Sequence, residues 1–297
     1  MTGDQRARGI AVAPHPITTR TRLGDVAHTD TGFGPVLLAL HGAMGGTDQS
    51  WLLGQALWRD TGTHRVIGVA RPGYPGTPLQ LGESPEAQAD LYATLLDALN
   101  IDRALVAAVS AGGPSALQFA LRHPKRCRGL ILVSAATGTL DGSHALTRLR
   151  AMERLTRVPG LAPVLGWLAG RDPEASARRA ILDADLLART LAHPEAGPLL
   201  RGLGVTTRAN LKHRLPGSLS DTQRFQSLPP FPYAMLEVPV LVMHGTSDRA
   251  VSDAYAKAVA AATRARLVLL EGGDHVALFT HLGEVREAVA AFETTLD

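Results

Sequence analysis

Short apolar runs recur along the chain at Val36–Leu40, Val66–Ala70, Ala104–Val109, Leu130–Val133, Val238–Met243 and Leu267–Leu270. Each has the length of a strand and is apolar almost throughout, without alternation. Strands covered on both faces read this way, which predicts a mostly parallel sheet. Between the runs the spacing becomes helical. Pro85–Leu99 repeats Leu91, Leu95, Leu96 and Leu99 on one side, with Ser84 as N-cap and Pro85 at the first helical position. Ser115–Arg122, Tyr255–Ala262 and Val285–Phe292 are further helical patterns, the first ending before Pro124. Alternating strands and helices predict an α/β fold, a mostly parallel sheet flanked by helices. Thr18–His28, centred on Leu23-Gly24-Asp25, reads as a β-hairpin and supplies an antiparallel edge.

The rhythm breaks between Leu140 and Leu236, where no buried-strand run appears. Helical patches at Leu146–Arg157 and Ala175–Leu191 are followed by a Pro/Gly/Ser-rich stretch, Leu215–Pro232. The expected organisation is a core of residues 1–139 and 237–297, with 140–236 inserted as a helical cap. An insertion there would cover the strand ends, where open α/β sheets bind ligands. A separate helical domain is the alternative.

Composition narrows the function. Apolar residues form 45% of the 297, enough for a full core and against global disorder. The net charge is +3, from 30 basic and 27 acidic residues, with no basic run longer than two. Nucleic-acid binding therefore has little electrostatic support. The single Cys127 excludes an internal disulfide and a cysteine-based metal site. Ala104–Leu121 is uncharged, but Gly112-Gly113-Pro114 interrupts it, so strand, turn and helix is preferred to a membrane span. Met1–Pro16 lacks a signal-peptide core, which makes a cytoplasmic location the expectation. Gly32-x-Gly34 precedes a strand instead of following one, so no dinucleotide loop is expected.

Candidate chemistry sits at the ends of the apolar runs. Val109-Ser110-Ala111-Gly112-Gly113 closes one run and opens a helix, the context of a nucleophile elbow. A turn that tight needs small residues two positions either side, here Ala108 and Gly112. A serine needs a base. His275, one of 11 histidines, follows the last run in Gly272-Gly273-Asp274-His275. An acid must hold the imidazole tautomer, and Asp248 in His244-Gly245-Thr246-Ser247-Asp248 is the candidate. Asp141 competes, whereas Asp274 adjoins the histidine and is poorly placed to reach its ring. Ser, Asp, His is also the chain order of a known triad arrangement. His41-Gly42-Ala43-Met44-Gly45-Gly46 follows the first run, and the N–H groups of Ala43 and Ala111 are the candidate oxyanion hole. Met44 and Phe279 flank the expected site as substrate contacts. Trp51, Trp58 and Trp167 are more naturally core or cap packing than pocket lining.

Taken together these motifs resemble the α/β-hydrolase family over nearly the whole chain. His41-Gly42 is similar to its oxyanion loop, Arg71-Pro72-Gly73-Tyr74-Pro75-Gly76 to its Arg-Pro-Gly-x-Gly loop, and Ser110-Ala111-Gly112-Gly113 to its elbow. His244-Gly245-x-x-Asp248 and Gly273-x-His275 resemble its acid and base loops. Ala108 departs from the usual elbow glycine, and Ala70 stands where an aspartate often precedes Arg71. The resemblance implies a serine-nucleophile hydrolase that needs no cofactor or metal and acts on a small or medium hydrophobic molecule. A carboxylic ester is the expected substrate, cleaved through an acyl-enzyme. Carbon–carbon hydrolysis of a diketone, lactone opening, acyl transfer to another alcohol and cofactor-free perhydrolysis share the same triad. A ligand receptor that kept the fold is a rival of another class. The exposed face of the cap is left as a place where a homodimer could form.

Overall fold

The computed structural model describes residues 9–59, 61–158, 160, 172 and 174–296. Eight strands form one sheet in the order β1-β2-β4-β3-β5-β6-β7-β8. They are β1 (Ile17–Thr21), β2 (Gly24–Thr31), β3 (Val36–Leu40), β4 (Arg65–Val69), β5 (Ala104–Val109), β6 (Cys127–Val133), β7 (Val240–Gly245) and β8 (Arg266–Leu270). The first two make the expected antiparallel hairpin, and β2 also pairs antiparallel with β4. From β4 to β8 every pairing is parallel.

The apolar runs form strands because both faces are covered. On β5, Val106 and Ala108 belong to one core and Leu105 and Ala107 to the other. The first core packs under helices α2 (Pro85–Ala98), α3 (Gly113–Arg122) and α9 (Ala254–Ala262). The second packs under α1 (Thr47–Leu57), α10 (Ala277–Thr280) and α11 (Leu282–Glu293). Ser84 caps α2 as expected, its hydroxyl accepting the Ala87 N–H at 3.2 Å.

Between β6 and β7 come α4 (Ser143–Thr156), α5 (Ala177–Ala180), α6 (Ala184–Ala192), α7 (Ala196–Arg208) and α8 (Leu211–Phe225). The expected Ala175–Leu191 helix is two, split at Ile181–Asp183, where Asp183 accepts the N–H groups of Asp185 and Leu186 at 2.9 Å. The Pro/Gly/Ser-rich stretch is also corrected: to Phe225 it is helix, with Pro216 inside. Its Gly217 N–H leaves the helical pattern and donates to Gly73 O at 2.8 Å. A β-carbon on Gly217 would lie 2.4 Å from the Tyr74 ring, so only glycine allows this crossing. Among the described residues, no helix is long and apolar enough to cross a membrane. Ala104–Leu121 is strand, turn and helix.

The sheet's strand order reverses at β3, which lies between β4 and β5. Chain segments leaving β3 and β5 emerge side by side there, where open α/β sheets place ligands. His41-Gly42 and Ser110 leave from this point, since Leu40 and Ala108 are register partners.

Candidate active site

Ser110 stands directly after β5 and opens the single turn Ser110–Gly112 that leads into α3, at φ +52°. Left-handed backbone is unfavourable for a residue with a β-carbon and marks stored strain. Two contacts hold it there: Ser110 O accepts the N–H of Gly113 and, at 3.0 Å, that of Ala136. A β-carbon on Gly112 would lie 2.8 Å from Leu40 O, so the turn requires glycine at that position. Ala108, by contrast, is accommodated while fully buried, which explains why the departure from the usual elbow glycine is harmless.

The side chains expected to converge do so. His275 Nδ1 lies 2.8 Å from Asp248 Oδ2, and His275 Nε2 lies 3.0 Å from Ser110 Oγ. A carboxylate only accepts, so Nδ1 carries the proton and Nε2 is free to accept from the serine hydroxyl. The Asp248 side chain is 0% exposed and that of His275 is 30%. Burial by itself would raise the Asp248 carboxyl. Hydrogen bonds from His244 and His275, the charge of His275 and the Val251 N–H outweigh burial and hold it well below the usual range. Asp248 Oδ1 also accepts the N–H groups of Ala250 and Val251 at 2.8 and 3.0 Å. The acid and base loops are stapled together, Ser247 N–H donating to Gly273 O at 2.8 Å and Thr246 N–H to Leu270 O at 3.0 Å. Asp141 is exposed and accepts the Ser143 N–H at 3.1 Å, far from this chemistry in its bonding. Asp274 accepts the Val276 N–H at 2.9 Å and shapes the turn.

A cavity of about 280 Å³ opens on Ser110 and His275. Gly42, Ala43, Met44 and Phe279 line it, so both expected substrate contacts face it. Ala111 is buried at the foot of α3 beside Ser110. A second cleft, of about 560 Å³, borders His275 from the side of α5 and α6 and does not reach Ser110. Trp51 packs into the second core, and Trp58 donates to Glu293 at 2.7 Å and stacks on His64. Trp167 lies outside the described residues.

Residues of α8 that carried no role in the sequence, Asp221, Ser218 and Arg214, brace the site together with residues of the sequence motifs. Arg71, 1% exposed, donates to both carboxylate oxygens of Asp221 on α8, at 3.1 and 2.5 Å. The same guanidinium donates to His41 O at 2.8 Å and Gly42 O at 3.3 Å, fixing the loop after β3. Tyr74 OH adds a 2.6 Å bond to Asp221. Met44 has φ +57°, and its N–H donates to Ser218 Oγ of α8 at 2.9 Å. Arg214 pairs with Asp48 and donates to Met44 O at 3.2 Å. His41 is neutral in this setting: burial first, then the charge of Arg71, lowers it well below its ordinary value. Its Nδ1–H donates to Gly42 O at 2.6 Å while Nε2 accepts the Arg71 N–H at 3.1 Å. The Arg-Pro-Gly motif was the one signal pointing to Arg71. The carboxylate opposite it sits in a stretch whose composition reads as loop. Among the described residues, no cluster of three or more His, Cys, Asp or Glu side chains is arranged to hold a metal ion.

The family model of the alpha/beta hydrolase fold matches residues 35–282. The chain belongs to that family. An alpha/beta hydrolase fold protein from Nakamurella multipartita superposes with a TM-score of 0.75 at 30% identity, over 94% of this chain and 98% of that one. An enol-lactonase from Burkholderia xenovorans shares the alpha/beta hydrolase fold, with a TM-score of 0.71 at 18% identity over 94% and 100% of the two chains. In sequence, 114 residues are 35% identical to an uncharacterized hydrolase of Bacillus subtilis, covering 38% of this chain and 39% of that one. A further 143-residue match, 29% identical, is to a 2-hydroxy-6-oxo-2,4-heptadienoate hydrolase of Pseudomonas putida, covering 47% and 51%. The chain thus spans about half or less of the length of these curated relatives.

Proposed function

We propose that this alpha/beta hydrolase fold protein is a serine hydrolase of carboxylic esters with a small or medium, mostly apolar acyl group. The observation that carries the reading is the unbroken relay Ser110 Oγ, His275 Nε2, His275 Nδ1 and Asp248 Oδ2, with steps of 3.0 and 2.8 Å. Ser110 attacks the carbonyl carbon as His275 removes its proton. Asp248 stabilises the imidazolium, and its depressed carboxyl keeps it an anion throughout. The N–H groups of Ala43 and Ala111, with the N-terminal end of α3, hold the oxyanion. His275 then gives the proton to the departing alcohol. Water, deprotonated by His275, releases the acid and restores Ser110. Residues 140–236 act as the cap, and Met44 and Phe279 contact the substrate.

A second reading has its own support. The Pseudomonas putida relative is named for hydrolysis of an oxo-dienoate. The same triad would then cleave a carbon–carbon bond in a vinylogous diketone. Turnover of 4-nitrophenyl butanoate and of 2-hydroxy-6-oxo-2,4-heptadienoate separates the two, each measured on the wild type and on Ser110→Ala. Ester cleavage lost in Ser110→Ala supports the first reading. Cleavage of the dienoate alone transfers the assignment to the second. Ester cleavage that survives Ser110→Ala rejects the serine mechanism.

A further inference from the structure

The 280 Å³ cavity beside Ser110 is mostly apolar, walled by Leu53, Val109, Leu203 and Phe279. Beyond Ser110 and His275, the hydrogen-bonding side chains on that wall are Gln49 and Thr207. Gln49, in the first turn of α1, is buried and borders the cavity. An amide can present either its oxygen or its NH₂, and its neighbours decide which. Gln49 Nε2 lies 3.3 Å from Met44 O, 3.4 Å from Thr206 Oγ1 and 3.1 Å from Thr207 Oγ1. Met44 O can only accept. The two threonine hydroxyls spend their protons on Leu203 O, at 3.1 and 2.7 Å, so toward Gln49 they too are acceptors. Three acceptors on one side fix the NH₂ there. That leaves the oxygen without a hydrogen-bond partner among the described residues, on a side chain that borders the cavity.

We infer that Gln49 Oε1 is a specificity group that accepts a hydrogen bond from a hydroxyl or N–H on the acyl half of the substrate. The acyl half is assigned because this cavity touches Ser110 and the Gly42-Ala43 loop as well as His275, whereas of these residues the larger cleft touches His275 alone, the group that protonates the leaving group. The inference rests on the reading of Ser110 as nucleophile. An apolar acyl chain filling this cavity would cover Oε1 without pairing it, which carries a desolvation cost. A donor at the right carbon removes that cost and adds a bond.

The test uses competitors that Ser110 does not turn over readily. Hexanamide and its 2-, 3-, 4- and 5-hydroxy derivatives, with the matching fluoro derivatives, are set against fluorophosphonate labelling of Ser110. Fluorine matches the hydroxyl in size and lacks the proton. In the wild type, at least one hydroxy isomer should compete about tenfold better than its fluoro partner. In Gln49→Leu that preference should vanish, while unsubstituted hexanamide binds as well as before or better. A merely structural Gln49 would weaken every competitor alike. Fluoro equal to or better than hydroxy at all four positions in the wild type overturns the inference, whether or not Gln49→Leu folds. A protein in which the probe does not label Ser110 fails the nucleophile reading instead, so the two failures are distinct.

Discussion

Asp221→Asn tests the brace between α8 and the loop after β3. The substitution keeps size and shape but removes the charge opposite Arg71. Arg71 is 1% exposed and Asp221 10%, so water cannot replace the lost partner. Burial alone would make the guanidinium easier to deprotonate; Asp221 is the main charge that more than reverses this. Taking one partner from a buried pair costs about 3–5 kcal/mol, because the other charge stays buried and uncompensated. At about 2.1 cal/mol/K per residue, the 297 residues give an unfolding entropy near 0.6 kcal/mol/K. The expected loss is then a fall in Tm of about 5–8 °C by differential scanning calorimetry. Ester turnover should fall as well, since Arg71 holds the carbonyls of His41 and Gly42. The double variant Arg71→Met with Asp221→Leu should regain much of the Tm, because it leaves no charge unpaired. A single variant with wild-type Tm, or a double variant no more stable than the single one, would refute the reasoning.

Other perturbations probe separate parts of the account. Asp248→Asn should lower kcat by about 10⁴, as in a comparable triad where the wrong tautomer results; the same loss from Asp141→Asn with Asp248→Asn active would move the acid elsewhere. The folded Asp248 carboxyl is depressed, so its stabilising contribution is complete above the ordinary aspartate value of about 3.9 and is withdrawn as pH falls below it. Asp248→Asn should therefore flatten the acid side of a urea-stability profile, and an unchanged profile would contradict this. Ser218→Ala removes the acceptor of the Met44 N–H and should cost about 1–3 kcal/mol in urea unfolding, with a lower kcat. The buried Cys127 thiol is pushed up to about 12, chiefly by burial. It should resist a thiol reagent such as dithionitrobenzoate at pH 8 until the protein unfolds; prompt labelling of the native protein would refute the burial.

Much of the core was readable because its strands have a single environment. Both faces of β3 to β7 are covered, so apolar runs and strands coincide to within a few residues. Ser110, Asp248 and His275 were readable for a related reason: each follows a strand, and parallel strands deliver their ends to one rim. The helices of residues 143–225 were harder. Ala196–Arg208 has Leu199, Leu200 and Leu203 at helical spacing, but its glycines diluted the signal. Leu211–Phe225 was hidden by Pro216-Gly217-Ser218, residues that a helix interior normally rejects. Their reason is tertiary, since Gly217 packs on Tyr74 and Ser218 receives Met44 N–H. The partners lie more than 140 residues apart in sequence, and no local pattern records them. Gln49 escaped notice similarly, because its role depends on two threonines of α7.

The central claim is that Ser110 is the activated nucleophile. A fluorophosphonate probe followed by peptide mapping tests it on the wild-type protein. A single adduct on Ser110, abolished in Ser110→Ala and slowed in His275→Ala, is the predicted result. An adduct on another residue, or unimpaired labelling of Ser110 in His275→Ala, would contradict it.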